Sequence, residues 1–180
     1  TILVGFIDIT VQKKSAEELH VQATIDEMTQ ILNKRAGLAL LTEKIINKEQ
    51  FVVVFIDIDG LKLVNDTFGH QEGDNYIKTV VQKMKESLSA HDFLFRYGGD
   101  EFIMVVNAEG EINSSQRAEG MLNKINNIIQ EEHKPYKMLI SYGIAKYDNT
   151  SSETTEEILA RADAQMYINK RINKESRNLI

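Results

Sequence analysis

The sequence of 180 residues contains no cysteine, which excludes both a disulfide framework and a thiolate zinc site. Basic residues are outnumbered by acidic ones, 21 to 27, and the formal net charge is −6. This balance argues against a broad basic face for nucleic acid or anionic membranes, but it is compatible with a nucleotide bound together with a metal ion. No apolar run reaches the roughly 18 residues of a membrane span, and no signal peptide is visible. We therefore expect a cytoplasmic fragment without direct membrane contact, which leaves membrane attachment of a full-length protein open.

The hydrophobic fraction of 42% and the charged fraction of 27% predict one domain with a single core and a short appendage. The appendage is expected at the N-terminus, where an apolar segment over residues 2–7 precedes Asp8-Ile9-Thr10 and a charged helical pattern. This order resembles the end of a PAS sensor domain, at residues 1–10, running into a signalling helix or linker at 11–25. A separate N-terminal strand followed by a surface helix is the alternative interpretation.

Two apolar segments flank Gly98-Gly99 and predict a β-hairpin, whose central glycines suit the positive φ angles of a type I′ turn. Asp100 and Glu101 follow this turn directly, at the start of a strongly apolar strand. A solvated acidic turn explains this pattern, and so does a cation site. The cation site requires a second acidic segment elsewhere in the chain.

That second acidic segment follows the apolar run at residues 51–56, which is rich in β-branched and aromatic residues and predicts a buried central strand. The run ends in Asp57-Ile58-Asp59. Ligands commonly bind at the carboxyl ends of such strands. The two acidic segments together therefore indicate one ligand site.

The predicted elements follow the order strand, helices, strand, strand, helix, strand, helix, which matches a ferredoxin-like βαββαβ core with additions. The predicted fold class is α+β, with a central antiparallel sheet flanked by helices. The first and third strands are neighbours in this topology, so Asp57 is expected close to Asp100. A long helix is expected to open at Gly73-Asp74, and the last strand is expected over residues 136–142.

Converging carboxylates, with no cluster of histidine or cysteine beside them, suit a hard cation such as Mg²⁺, with Mn²⁺ as a substitute. Magnesium usually shares its coordination shell with substrate phosphates, so a nucleoside triphosphate is the expected ligand. Backbone amides around residues 58–62, just before a helix, can bind phosphate oxygens. Lys62 is near enough in sequence to add positive charge.

Seven blocks of residues, in a fixed order along the chain, carry a family resemblance. The blocks are Asp26-Glu27-Met28-Thr29 with Asn33-Lys34-Arg35, Asp57-Ile58-Asp59 with Lys62, Asn65-Asp66, Gly69-His70 with Gly73-Asp74, Gly98-Gly99-Asp100-Glu101-Phe102, Ser141-Tyr142-Gly143, and Ala162-Asp163 with Met166-Tyr167. Together they resemble the GGDEF domain, the diguanylate cyclase family, over about residues 23–177. The resemblance implies the nucleotidyl cyclase or polymerase-palm form of the fold and assigns this domain to residues 26–180.

The resemblance implies the condensation of two GTP molecules into cyclic di-GMP with release of two pyrophosphates. Each 3′-hydroxyl attacks the α-phosphate of the opposite nucleotide, so the active site forms between two domains of a homodimer. By the same resemblance, Asp57, the Ile58 carbonyl and Asp100 hold Mg²⁺. Either Asp100 or Glu101 helps to deprotonate the 3′-hydroxyl, and Lys62 stabilises charge that builds on the transferred phosphoryl group.

Guanine recognition is assigned by the resemblance to Asp74, with Asn65 as its partner and His70 close by. A carboxylate can accept hydrogen bonds from N1–H and the N2 amino group of guanine, whereas adenine offers an acceptor at N1. The alternative makes Asp74 an ordinary residue of a helix N-terminus and Asn65 a turn former. From the residues alone, these two interpretations are equally good.

The terminal phosphates are expected to bind basic residues on the last helix. Lys170 fits the lysine that the resemblance implies, but the place of the arginine that should follow is taken by Lys174, and an arginine appears only at Arg177. Lys174 and Arg177 are both candidates, because residues 170, 174 and 177 share a face of a continuous helix. The alternative is a solvated basic helix end, favoured by the helix dipole.

The product-inhibition motif of the family, Arg-x-x-Asp, is incomplete because the corresponding residues are Ser89-Ala90-His91-Asp92. We therefore expect this site to bind cyclic di-GMP weakly or not at all. Two other functional classes remain, namely a catalytically idle domain that binds GTP and a dimerising output module of a sensor protein. Turnover of GTP in the presence of Mg²⁺ distinguishes a cyclase from both.

Overall fold

The computed structural model describes residues 23–107, 113–150 and 152–177, with side chains described as far as residue 172. The predicted end of a sensor domain at residues 1–10 lies outside the described residues. So does nearly all of the predicted signalling helix at 11–25. None of the described helices is both long and apolar enough to cross a membrane.

Five helices and four strands are formed within these ranges, in the order expected for a ferredoxin-like core with additions. The helices and strands are α1 Lys34–Ile46, β1 Phe51–Ile58, α2 Leu61–Phe68, α3 His70–Ser87, β2 Phe93–Arg96, β3 Glu101–Asn107, α4 Ser114–Gln130, β4 Ile140–Lys146 and α5 Thr155–Arg177.

The four strands form one sheet in the order β2-β3-β1-β4, and every neighbouring pair is antiparallel. The predicted α+β fold and the predicted pairing of the first and third strands are therefore confirmed. All eight residues of β1 are buried, as expected for a central strand with helices on both faces. Asp57, the seventh of them, lies opposite Glu101 on one side and Ser141 on the other.

Two apolar layers cover the sheet, because successive side chains of a strand point to opposite faces. Val52, Val54 and Ile56 pack with apolar residues of α3 and α4. Phe51, Val53 and Phe55 pack on the other face with residues of α1 and α5. The buried helix residues recur at helical spacing and are Tyr76, Ile77, Val80, Val81 and Met84 on α3, Ala118, Leu122, Ile125 and Ile129 on α4, and Ile158, Leu159, Ala162 and Met166 on α5.

Two predicted element boundaries are wrong. Helix α3 begins at His70 and not at Gly73-Asp74, because the Gly69 carbonyl already accepts hydrogen bonds from the amides of Glu72 and Gly73. The last strand is Ile140–Lys146 and not residues 136–142. Residues 136–139 lie before this strand, and the last of them, Leu139, bonds to the Tyr76 hydroxyl and, through its carbonyl, to the Asp59 amide.

Candidate active site

Two buried carboxylates mark the C-terminal end of β1. Asp57 is 8% exposed and Asp59 is 7% exposed. The hydroxyl group of Ser141, on β4, donates a hydrogen bond of 2.8 Å to Oδ2 of Asp59. The central strand thus places two acids at the edge of the sheet where its antiparallel neighbours β3 and β4 begin.

The acidic turn between β2 and β3 meets this end of β1. The amide of Ile58 donates to the carbonyl oxygen of Asp100 at 3.0 Å, and Asp57 is the direct cross-strand partner of Glu101. Residues directly opposite each other on antiparallel strands have side chains on the same face. The topology therefore brings the two acidic segments of the sequence to one place.

The pKa values of two acids are raised at this place. Burial raises the pKa of Asp57, and the nearby charges of Asp100 and Asp59 raise it further, against the opposing effect of Lys170. Burial also raises the pKa of Glu101, with added repulsion from Asp100 and Asp57. Negative charge is therefore in excess here, and a cation would stabilise it.

Lys170 supplies one positive charge to these acids. Its Nζ atom lies 2.5 Å from Oδ1 of Asp57 and 4.0 Å from Oδ1 of Asp59. The adjacent residue Asn169 donates from Nδ2 to the carbonyl of Tyr142 on β4, at 2.9 Å. This bond fixes the level at which α5 crosses the sheet, and hence the position from which the Lys170 side chain reaches the acids.

The turn that carries Asp100 is not the type I′ turn that the sequence predicts, because neither Gly98 nor Gly99 has a left-handed φ. A Cβ on Gly98 would lie 2.6 Å from Oε2 of Glu101, so that glycine makes room for the carboxylate. The Arg96 guanidinium holds the turn instead, donating to the carbonyls of Gly98 at 3.1 Å and Gly99 at 2.8 Å.

Asp26 and Lys34 support the same turn, and no role was predicted for either residue. Asp26 pairs with Arg96 at 3.2 Å and also accepts from the amide and hydroxyl groups of Thr29. The Nζ atom of Lys34 lies 3.7 Å from the centroid of the Tyr97 ring. The first block of the family resemblance was the only signal for both residues, since their partners are about 60 to 70 positions away.

Asn65 and Asp74, the predicted guanine-binding residues, lie near the junction of α2 and α3. Oδ1 of Asn65 is buried and has no hydrogen-bond partner in the described part of the chain. A Cβ on Gly73 would overlap this amide, so the close approach of the two helices requires glycine there. Asp74 is the next residue and is half-buried, while His70 is exposed in the first turn of α3. A buried amide oxygen without a hydrogen-bond partner in the described residues, packed against the residue that precedes Asp74, is an arrangement that a ligand with hydrogen-bond donors would complete.

The Tyr76 hydroxyl links α3 to the acidic site. It donates toward the carbonyls of Asp59 and Leu139, each at 3.0 Å, and accepts from the Leu139 amide at 2.7 Å. The side chain is fully buried. Helical periodicity predicts only a core position for Tyr76, because it does not distinguish an apolar neighbour from a hydrogen-bond partner.

A second link joins α3 to the segment before β4. Glu72 accepts from Lys134 at 2.8 Å and from the Tyr136 hydroxyl at 2.7 Å. These hydrogen bonds, led by the one from Lys134, lower the pKa of Glu72 to about 2. Burial and the Glu72 hydrogen bond raise the pKa of Tyr136. Glu72 and Tyr76 of α3 thus bind Lys134, Tyr136 and Leu139, in the segment just before β4.

The remaining predicted site residues are Lys62, Lys174 and Arg177. Lys62 is exposed in the first turn of α2. Helix α5 does continue to Arg177, as the predicted basic face requires. The side chains of Lys174 and Arg177 lie outside the described residues.

The donor groups fit a hard cation, although no three His, Asp or Glu side chains within the described ranges already form a metal site. Carboxylates and backbone carbonyls are the ligands that Mg²⁺ and Mn²⁺ prefer. The ammonium group of Lys170 already binds where positive charge is needed. The chemistry of the site therefore fits a divalent ion if this ammonium moves.

The segment of the incomplete inhibition motif forms an internal ion pair. Arg117, on α4, donates from both terminal nitrogens to the Asp92 carboxylate, and further to the carbonyl of Asn107 and the hydroxyl of Ser89, each at 2.8 Å. Burial tends to raise the pKa of Asp92, but the bonds from Arg117 and from the Asn107 and Ser89 amides outweigh burial and lower it.

Comparison with known proteins gives one consistent result. Residues 23–176 match the family described as "Diguanylate cyclase, GGDEF domain". The bifunctional diguanylate cyclase/cyclic di-GMP phosphodiesterase MucR of Pseudomonas aeruginosa is 31% identical over 159 residues, which cover 86% of this chain and 23% of that protein. Diguanylate cyclase A of Treponema denticola is 32% identical over 165 residues, which cover 85% of this chain and 43% of that protein.

A solved structure shows the same fold. The coiled coil and GGDEF domain of DgcB from Caulobacter crescentus, in complex with c-di-GMP, superposes with a TM-score of 0.80 at 24% identity. The match covers 91% of this chain and 89% of that one. The chain spans less than half the length of the two curated relatives, at 23% and 43% of their residues.

Proposed function

The chain belongs to the GGDEF domain family of diguanylate cyclases, and we propose that it condenses two GTP molecules into cyclic di-GMP with release of two pyrophosphates. The observation that carries this proposal is the meeting of Asp57, at the end of β1, with the turn of Asp100 and Glu101. We assign the cyclase domain to residues 26–180, with a linker at 11–25 and a sensor-like end at 1–10.

Three groups would hold a divalent ion, namely the carboxylates of Asp57 and Asp100 and the carbonyl of Ile58. When bound, Mg²⁺ or Mn²⁺ supplies positive charge that polarises the phosphate oxygens and favours loss of the 3′-hydroxyl proton. The burial of Asp57 supports this role, because a carboxylate with little water around it binds a cation more strongly.

Proton removal from the 3′-hydroxyl falls to Asp100 or Glu101. The raised pKa of Glu101 supports Glu101, since a general base is most effective when its pKa approaches the working pH. Lys62, exposed at the start of α2, would face the phosphates and stabilise the charge that builds on the transferred phosphoryl group.

Guanine binding is proposed at the junction of α2 and α3. The Asp74 carboxylate would accept from N1–H and the N2 amino group, and the unpaired Oδ1 of Asn65 would accept from the remaining N2 hydrogen. His70 lies in the first turn of α3, about one turn before Asp74, and would contact the base edge. Adenine would leave these acceptors unpaired, which predicts selectivity for GTP.

The terminal phosphates would be held by α5, through Lys170 and either Lys174 or Arg177. Lysine acts there as a point charge without the bidentate grip of arginine.

Because each hydroxyl attacks the phosphate of the other nucleotide, we propose that catalysis requires a homodimer. The Asp92 segment is proposed to bind the cyclic di-GMP product weakly, because its arginine is replaced by Ser89 and Arg117 is engaged internally.

An assay of cyclic di-GMP formed from GTP and Mg²⁺, at increasing protein concentration, tests this function. We expect a steeper than linear dependence on concentration and a loss of at least about 100-fold in Asp100→Ala, since metal ligands contribute several kcal/mol to such transition states. Glu86→Ala, an exposed carboxylate on α3, is the matched control. GTP binding without product would instead indicate an idle GTP-binding or dimerising output module.

A further inference from the structure

Lys170 lies on the carboxylates that the proposed function gives to the divalent ion. Its ammonium group contacts Asp57 at 2.5 Å and approaches Asp59 at 4.0 Å. The side chains of the two acids are 11% and 9% exposed, and that of Lys170 is 27% exposed. The ammonium therefore bridges two largely buried negative charges while keeping some access to solvent.

A bridging cation at this place has a physical cause. Buried carboxylates without a partner are strongly destabilising, and the repulsion among Asp57, Asp59, Asp100 and Glu101 adds to the need for positive charge. A lysine ammonium is a compact point charge on a flexible four-carbon stem. It can therefore neutralise the acids without being fixed to them.

A divalent ion and this ammonium cannot share Asp57 favourably. Both are positive, and at contact distance in a site with little water their repulsion is large. The ion therefore has to displace Lys170, and the displaced ammonium then needs another anion. The nucleotide triphosphate is the anion that the proposed function brings to this end of the sheet.

We propose that Lys170 is the resident cation of the acidic site when neither metal ion nor nucleotide is bound, and that it makes divalent-ion binding depend on the nucleotide. This inference rests on the proposed function, in which the acids bind a metal ion and GTP. When the nucleotide arrives, Lys170 exchanges Asp57 for phosphate oxygens, and the divalent ion takes its place on Asp57. The site consequently has low affinity for the free metal ion and high affinity for the metal ion together with GTP.

Mn²⁺ binding, measured by electron paramagnetic resonance in the absence of nucleotide, tests this proposal. We expect weak binding by the wild type and binding tighter by about tenfold or more in Lys170→Met, which keeps the length of the side chain and removes its charge. Arg171→Met is the matched control, because it removes one positive charge from the next, exposed residue of α5. It should bind Mn²⁺ as weakly as the wild type.

Two further measurements keep the result interpretable. The double variant Lys170→Met with Asp57→Asn should lose the gained affinity, which would locate the ion at Asp57. Thermal unfolding of Lys170→Met and Lys170→Gln, with and without Mn²⁺, checks that the variants fold, and both should gain more thermal stability from Mn²⁺ than the wild type does.

Unchanged or weaker Mn²⁺ binding by the folded Lys170 variants would overturn the proposal. If the wild type then still binds Mn²⁺ together with a non-hydrolysable GTP analogue, only the role of Lys170 is refuted. If Mn²⁺ fails to bind even with that analogue, the proposed metal site is refuted together with the role of Lys170.

Discussion

Asp57 of β1 and Glu101 of β3 are direct partners across the antiparallel sheet, so their carboxylates lie on the same face at the same end. The pKa values of both are raised, by burial first and then by the charges around them. The ionised forms of these two carboxylates therefore lower the stability of the folded domain. Such an arrangement is typical of functional sites, where binding of a cation recovers the lost free energy.

Asp57→Asn should unfold at a higher temperature than the wild type near neutral pH, in the absence of metal and nucleotide. The pKa of Asp57 is raised in the folded state, so its contribution to stability is present below its ordinary pKa and is lost as the pH rises through the folded-state pKa. The advantage of the variant should therefore disappear below about pH 4, close to the ordinary pKa of aspartate. Thermal unfolding monitored by circular dichroism across pH checks this.

Asp92→Asn is the control with the opposite sign, because the pKa of Asp92 is lowered in the folded state. Its stabilising effect is present above the ordinary pKa and is lost as the pH falls through the folded-state value. The variant should therefore be less stable than the wild type at neutral pH. Equal effects of the two substitutions would contradict the electrostatic description of the acidic site.

Arg117→Met should lower the free energy of unfolding by about 3 kcal/mol, because it leaves the buried Asp92 carboxylate without its ion-pair partner. Ser89→Ala, which removes only one hydroxyl group of the same cluster, should lose about 1 kcal/mol. Urea unfolding measures both.

Calorimetry on the wild type should find weak or no cyclic di-GMP binding, and tight binding that disappears in Asp92→Ala would refute this.

Gly73→Ala should raise the KM for GTP by about tenfold or more, because a methyl group there overlaps the Asn65 amide and displaces it from the proposed base site. Gly120→Ala is the matched control, since a Cβ at that helical glycine meets open space. It should leave KM unchanged and stabilise α4 by about 0.5–1 kcal/mol. An unchanged KM in folded Gly73→Ala would argue against guanine binding at this junction.

Tyr76→Phe should destabilise the domain by about 1–3 kcal/mol, because it removes the hydroxyl that accepts from the Leu139 amide and donates toward the Asp59 and Leu139 carbonyls. It should also reduce kcat, since the hydroxyl holds the backbone of Asp59 at the acidic site. Tyr136→Phe removes a less buried hydroxyl from the same region and should lower stability and kcat less than Tyr76→Phe does. Equal effects of the two variants would deny Tyr76 a positioning role.

The sequence was sufficient to predict the order of elements, the buried β1 and the neighbouring position of Asp57 and the acidic turn. Alternation and helical spacing predict each strand and helix from residues that are near one another in the sequence. The ferredoxin-like topology then predicts which two strands are neighbours, and therefore which acids lie close together. The start of β4 was predicted too early, because side chains of α3 bind the segment before this strand. The Tyr76 hydroxyl binds Leu139, and the Glu72 carboxylate binds Lys134 and Tyr136. No periodicity in the sequence reports such bonds.

The details of the site depended on contacts between distant residues. Lys170 and Asp57 are 113 positions apart, and Arg96 and Asp26 are 70 apart. The predicted positive φ angles of Gly98 and Gly99 were wrong for a local reason: the guanidinium of Arg96 shapes the turn and the Glu101 carboxylate occupies the space beside Gly98. The pair of glycines alone does not report these contacts with neighbouring side chains.

The central claim is that Asp57 and Asp100 converge on one divalent ion that binds GTP. A crystal of the wild-type protein grown with Mn²⁺ and a non-hydrolysable GTP analogue, with the ion located by its anomalous scattering, tests it most directly. We predict one Mn²⁺ ion coordinated by both carboxylates and by the phosphates, with the Lys170 ammonium moved from Asp57 onto the phosphates. An analogue bound with Lys170 still on Asp57, and no ion between the two acids, would contradict the account.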